Sequence, residues 1–211
     1  MKATTREILS QLSVRYPALS GVETDVLAAF TLLKECFLHG GRVYLCGNGG
    51  SACDCEHIAG ELLKSFKKCR PLDNELVERL SKDKDGEAIL GGLDGGLPVV
   101  SLCGFSGFST AYGNDKNPAF TFAQLVNVLG KEGDVLLTLS TSGNSKNCVY
   151  AVKVAKARGM KSVLLSGGDG GVLKAICDVS VVVPEKETYK VQEYHLPVYH
   201  CLCAMLEEEF F

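Results

Sequence analysis

His57 and Glu61 lie four residues apart in GNGGSACDCEHIAGEL (47–62). On a helix, that spacing puts them on one face. An imidazole beside a carboxylate can move a proton or hold a divalent metal ion. A solvated surface pair has the same spacing, so the pair gains meaning only from its surroundings. Its helix starts at GNGGS (47–51), a run of small residues directly after the apolar segment RVYLCG. A strand end followed by a helix start leaves free backbone N–H groups with the positive end of the helix dipole behind them, and small residues let an anion approach. A second turn of this kind, STSGNS (140–145), adds the hydroxyls of Ser140, Thr141, Ser142 and Ser145. Amides together with hydroxyls suit a phosphate monoester.

The remaining candidates for chemistry lie near the C-terminus, where His195 and His200 accompany Gln192 and Glu193. His, Glu and Gln side chains can all ligate zinc. Spacing restricts the idea, because on a straight helix Gln192 and His200 are about 12 Å apart along the axis at ~1.5 Å per residue. One ion cannot reach both. Either Gln192 precedes the regular helix, or Pro197 distorts it, or the two residues come from different chains. His39 ends the second helix and is expected to carry no chemistry.

These residues need a frame, and the hydropathy pattern supplies one. Residues 1–39 read as helix, turn, helix, closed by Gly40-Gly41. From Arg42 onward come short apolar runs, RVYLCG, LPVVSLCG, DVLLTLS, KSVLLSG and VSVVVP, each followed by Gly or Ser and, in most cases, a helical stretch. Nearly continuous apolar strands alternating with helices predict a parallel sheet covered on both faces, in one domain over 1–211. Both glycine loops then fall at the carboxyl ends of strands, where open α/β sheets bind ligands. YKVQEYHLPVYHCLCAMLEEEFF closes the chain as a helix that Pro197 should kink or interrupt. The stretch 67–97 breaks the rhythm and is expected to hold a short helix at 73–82 followed by a loop.

Composition excludes several classes. Hydrophobic residues make up 46% and charged residues 22% of the 211, with a net charge of −3, so a broad nucleic-acid or anionic-membrane surface is not expected. No apolar run approaches a membrane span, and no signal-peptide core is visible, which makes cytoplasmic the expected location. The ten cysteines lack C-x-x-C spacing and read as reduced thiols, those in apolar runs serving as small hydrophobes. GNGGS fails the G-x-G-x-x-G spacing of dinucleotide loops, no acid ends the next strand to hold a ribose, and no Walker motif is present.

Taken together, CGNGGSACDCEHIAGEL, GDVLLTLSTSGNSKNCVYAV, GDGG and QEYHLPVYH resemble the phosphoheptose isomerases of the sugar-isomerase (SIS) domain superfamily, from about residue 22 to the C-terminus. The resemblance implies an α/β three-layer sandwich of flavodoxin-like type, with a five-stranded parallel sheet between helices and an N-terminal helical hairpin. It implies a homotetramer with active sites between chains, and conversion of D-sedoheptulose 7-phosphate to D-glycero-D-manno-heptose 7-phosphate. It implies one zinc per subunit on His57, Glu61, Gln192 and His200, with Glu61 and His200 as the catalytic pair. Substrate and phosphate would be held by Asn48, Gly49, Gly50, Ser51, Asn114, Asp115, Ser140, Thr141, Ser142, Ser145 and Gln192. Two departures stand out: 67–97 is about twenty residues longer than in compact members, and Pro197 lies among the carried-over residues. The same superfamily holds a binding module, the DnaA initiator-associating protein, and sugar-phosphate sensors joined to DNA-binding domains. The retained Glu61 and His200 favour the enzymes, and no DNA-binding domain is visible here.

Overall fold

The five expected apolar runs form five parallel strands: β1 (Val43–Gly47), β2 (Val99–Ser101), β3 (Val135–Leu139), β4 (Lys161–Gly167) and β5 (Val179–Val183). The computed structural model describes residues 1–211. The strand order is β2-β1-β3-β4-β5, with Val43 opposite Val99 on one side and Val135 on the other. In β1 and β3 every residue is buried, as a strand covered on both faces requires.

Side chains alternate between two cores. Val43, Leu45, Val135, Leu137, Leu139, Val163, Leu165 and Val181 face a large cluster shared with α1 (Ala3–Arg15), α2 (Glu23–Leu38), α3 (Gly50–Leu63) and α10 (Thr188–Phe210). Tyr44, Cys46, Leu136 and Leu164 face a smaller cluster closed by α7 (Thr121–Leu129), α8 (Lys146–Ala157) and α9 (Gly171–Ile176). All ten cysteines are free, and six of them are buried packing residues. Between β2 and α7 the chain forms α6 (Ser106–Asp115).

The N-terminal hairpin is present, its helices joined by a 3-10 turn at Pro17–Val22. Gly40 ends it with φ +72, a left-handed cap that a Cβ would strain. Two expectations need correction. The charged stretch holds α4 (Asn74–Leu80), where a helix was expected, but α5 (Gly86–Gly92) replaces the expected loop. Asp83 N–H bonds back to Leu80 O and Gly86 N–H to Asp83 O, making this a two-helix hairpin. Pro197 does not interrupt α10, which runs for 23 residues. The ring is buried, so packing offsets the hydrogen bond that proline cannot donate. No helix is long and apolar enough to cross a membrane.

Candidate active site

The sheet order changes direction between β1 and β3, and the two loops that leave their carboxyl ends stand side by side there. Gly47 pairs with Leu139 across these strands, so GNGGS and STSGNS begin at one level. Their helices then part, α3 to the larger core and α8 to the smaller. The result is the crevice in which such sheets hold ligands. Asn48 and Asn147 span it with two amide hydrogen bonds, of 3.0 and 2.7 Å. Asn147 carries no sequence signal of its own.

Gly49 caps α3 with φ +56, and Ser51 is buried at its first turn, its N–H bonded to Asn48 O at 3.1 Å. A Cβ on Gly50 would stand 2.6 Å from Gln192 Nε2, so glycine is what lets the Gln192 amide lie on this loop. In the second loop, Ser140 Oγ donates to Ser145 Oγ at 3.2 Å, and the Asn144 N–H donates to Ser142 Oγ at 3.2 Å. Gly167 N–H donates to Thr141 O, and Leu173 N–H to Gly143 O, which seats the serine loop on the GGDGG turn. Gly143 has φ +64, and a Cβ there would stand 1.9 Å from Gly170 O.

Two turns along α3, His57 and Glu61 meet His200 of α10. His57 Nε2 lies 3.1 Å from Glu61 Oε1 and 3.5 Å from His200 Nε2. One ligand atom from each of the three falls within 4.8 Å of the others. Donor atoms on a tetrahedral zinc with bonds of ~2.1 Å stand roughly 3.4 Å apart. The second carboxylate oxygen, Glu61 Oε2, is buried with no hydrogen-bond partner, a costly state that a cation would relieve. The donor set therefore fits a divalent metal. Burial and the neighbouring His57 both depress the His200 pKa, favouring the neutral imidazole that a metal needs.

α10 runs parallel to α3, and its residues meet α3 in order. Gln192 lies at Gly50, Tyr199 at Asp54 and His57, and His200 at His57. Gln192 thus meets the loop, eight positions before His200 on one continuous helix. Asn114 and Asp115 bond to each other at 3.1 Å at the exposed end of α6, and no hydrogen bond joins them to either loop. His39 bonds only its own helix, at Glu35 O, and His195 is fully buried.

Sequence reasoning missed the supports behind this site. Arg70, 2% exposed, donates from Nε to Glu207 Oε1 at 2.8 Å, from Nη1 to Leu62 O at 2.7 Å and from Nη2 to Glu61 O at 2.7 Å. It satisfies the last carbonyls of α3 and so fixes the backbone of Glu61. Glu207 also accepts from the amides of Phe66 and Lys67. Burial would raise its pKa, but these amides and Arg70 outweigh burial and hold the carboxylate ionised. Only the spacing of Tyr199 and Asp54, each one helical turn or less from an expected ligand, could have flagged them.

Comparison with known proteins identifies the family. The SIS domain model matches residues 17–89 and 100–167, so the chain belongs to the SIS domain family. Within that class it is a member of the phosphoheptose isomerases. It is 36% identical to the phosphoheptose isomerase of Leptospira biflexa over 205 residues, covering 97% of this chain and 94% of the relative. It is 40% identical to that of Nitratiruptor sp. over 169 residues, 80% and 78% of the two chains. The solved phosphoheptose isomerase of Neisseria gonorrhoeae superposes with a TM-score of 0.73 at 30% identity, over 98% of this chain and 100% of that one. The Francisella tularensis enzyme gives 0.76 at 28% identity, over 97% and 95%.

Proposed function

We propose that this protein interconverts D-sedoheptulose 7-phosphate and D-glycero-D-manno-heptose 7-phosphate. The observation that carries the reading is the convergence of His57, Glu61 and His200 beside two phosphate-type loops at one switch point. The phosphate sits on the amides and hydroxyls of Ser51, Ser140, Thr141, Ser142 and Ser145. Asn48, Gly49, Gly50 and Gln192 line the sugar. Asn114 and Asp115, which bond each other and neither loop within one chain, reach substrate across a subunit interface in a homotetramer whose sites lie between chains. The location is cytoplasmic.

The reaction moves a proton between C1 and C2 through an enediol. Glu61 removes the C1 proton of the ketose. His200 serves as partner acid and base, moving a proton on oxygen or at C2. Arg70, on the carbonyl of Glu61, keeps the base in place. One zinc per subunit would be held by His57, Glu61 and His200, with Gln192 as the expected fourth ligand, and would supply positive charge that polarises the substrate carbonyl.

Incubation of the purified protein with sedoheptulose 7-phosphate, with and without zinc, followed by NMR, tests the assignment. Aldose should form, and should fall at least ~10³-fold in Glu61→Ala and His200→Ala with the fold intact. Substantial turnover in Glu61→Ala removes it as base. No product from a folded protein that binds the sugar phosphate turns the reading to another ketose phosphate or to a binding module.

A further inference from the structure

The Tyr199 hydroxyl lies 2.9 Å from His57 Nδ1 and 3.3 Å from Asp54 Oδ1. Its ring is 1% exposed and packs edge-on against His57 at 5.4 Å. A phenol has one proton to give, so with a neutral His57 two arrangements exist. In the first, Tyr199 donates to His57 Nδ1, the His57 proton sits on Nε2, and Nε2–H donates to Glu61. This strips Asp54 Oδ1 of its donor, and because Asp54 Oδ2 is already buried without a partner, neither oxygen would have a donor from the protein. In the second, Tyr199 donates to Asp54 and accepts from His57 Nδ1–H. Asp54 keeps its bond, and His57 Nε2 presents a bare lone pair toward Glu61 Oε1 and His200. Two acceptors 3.1 Å apart repel unless a cation lies with them. The arrangement that satisfies Asp54 therefore calls for positive charge between His57 and Glu61, which a metal ion supplies, as would a second proton on the ring.

We propose that Tyr199 is a positioning residue which, tied to Asp54, holds His57 in the Nδ1–H tautomer and aims Nε2 at the metal. This rests on the reading of His57, Glu61 and His200 as metal ligands. The relay has the form of an outer shell around a ligating histidine, where a carboxylate acting through an intermediary orients the ring. It also gives α10 two adjacent duties, with Tyr199 orienting one ligand and His200 being another.

The test uses full-length protein stripped of metal, titrated with zinc against a chelator of known affinity. Tyr199→Phe keeps the ring and removes only the hydroxyl. Zinc affinity should fall about 10- to 100-fold, the usual cost of losing such a partner. Long-range proton–nitrogen spectra of the zinc-free proteins should show His57 carrying its Nδ1 proton in the wild type, as the Nδ1–H tautomer or the imidazolium, and shifted toward the neutral Nε2–H form in the variant, a change that simple loosening of the core would not produce. If Tyr199→Phe does not fold, Asp54→Asn decides, with a smaller but several-fold loss expected. Affinity within twofold of wild type in the folded variant overturns the proposal, as does a wild-type His57 already in the Nε2–H form. Wild-type protein without zinc affinity overturns it too, while the sugar-turnover assay judges the isomerase separately.

Discussion

The seam between α3 and α10 and the α4–α5 hairpin are both polar helical regions, yet they are built in opposite ways. The seam buries its charges. Arg70 and Glu207 are 2% and 1% exposed, and every group of the guanidinium has an acceptor. The hairpin leaves its charges in water: α4 buries no residue, α5 only Gly86, and pairs such as Lys82–Glu78 are solvated. Isolated helices of seven residues are marginal in water, and exposed pairs contribute little. The hairpin is held at its root, where Gly95 N–H bonds to Arg70 O and Asp94 to the amide of Ser65. A buried charge pair is no guarantee of net stability, but it makes one geometry far better than its neighbours once both partners are present. The molecule places such a pair behind the backbone of Glu61 and leaves polar helices with almost no buried residues between α3 and β2.

The largest effect should come from splitting the buried pair. Arg70→Ala leaves Glu207 uncompensated and two α3 carbonyls bare, and should cost about 3–5 kcal/mol in urea unfolding. A loss below about 1 kcal/mol would show that water reaches the seam and that the contrast is false. Next comes Gly143→Ala, where positive φ and the closeness of Gly170 O should cost about 1–3 kcal/mol and raise KM for the sugar phosphate through a displaced serine loop. An unchanged KM would detach that loop from binding.

A third test concerns the far end of α10. Glu209 accepts from Lys34, the Lys2 amide and Thr5, and although burial opposes them, these bonds lower its pKa to about 2. A depressed carboxylate stabilises the fold above its unfolded pKa, roughly 4.5. That contribution should fade as pH falls from there toward 2, and Glu209→Gln should flatten the stability profile over that window. A parallel profile in the variant would refute the linkage. The smallest effect is expected from the hairpin. Replacing 72–93 by a short Gly-Ser turn should change stability by less than about 1 kcal/mol, since loop length enters only logarithmically. A large loss would mean the hairpin is part of the core after all.

The frame was legible in the sequence because burial on both faces of a parallel sheet writes itself as apolar runs, and both glycine loops fell where those runs end. His57 and Glu61 were legible as one face of one helix. α5 was not, because a glycine-rich heptamer with no apolar stripe has no helical signature to read. The run of α10 through Pro197 was hidden because a local rule met tertiary packing, which overrode it. Arg70, Glu207 and Tyr199 were hidden for a different reason: their partners are distant in sequence, 137 positions for Arg70 and Glu207 and 142 for Tyr199 and His57. No window along the chain contains both ends of such a bond.

The parallel run of α10 along α3 has one more consequence. Gln192 at the GNGGS loop, Tyr199 and His200 at His57, and Glu207 at Arg70 are four marks on a single rigid ruler. Each residue added or lost between them rotates everything downstream by about 100°. Residue types along this ruler can drift between its marks, but its length cannot, so insertions and deletions that any surface loop would absorb are forbidden over these sixteen positions.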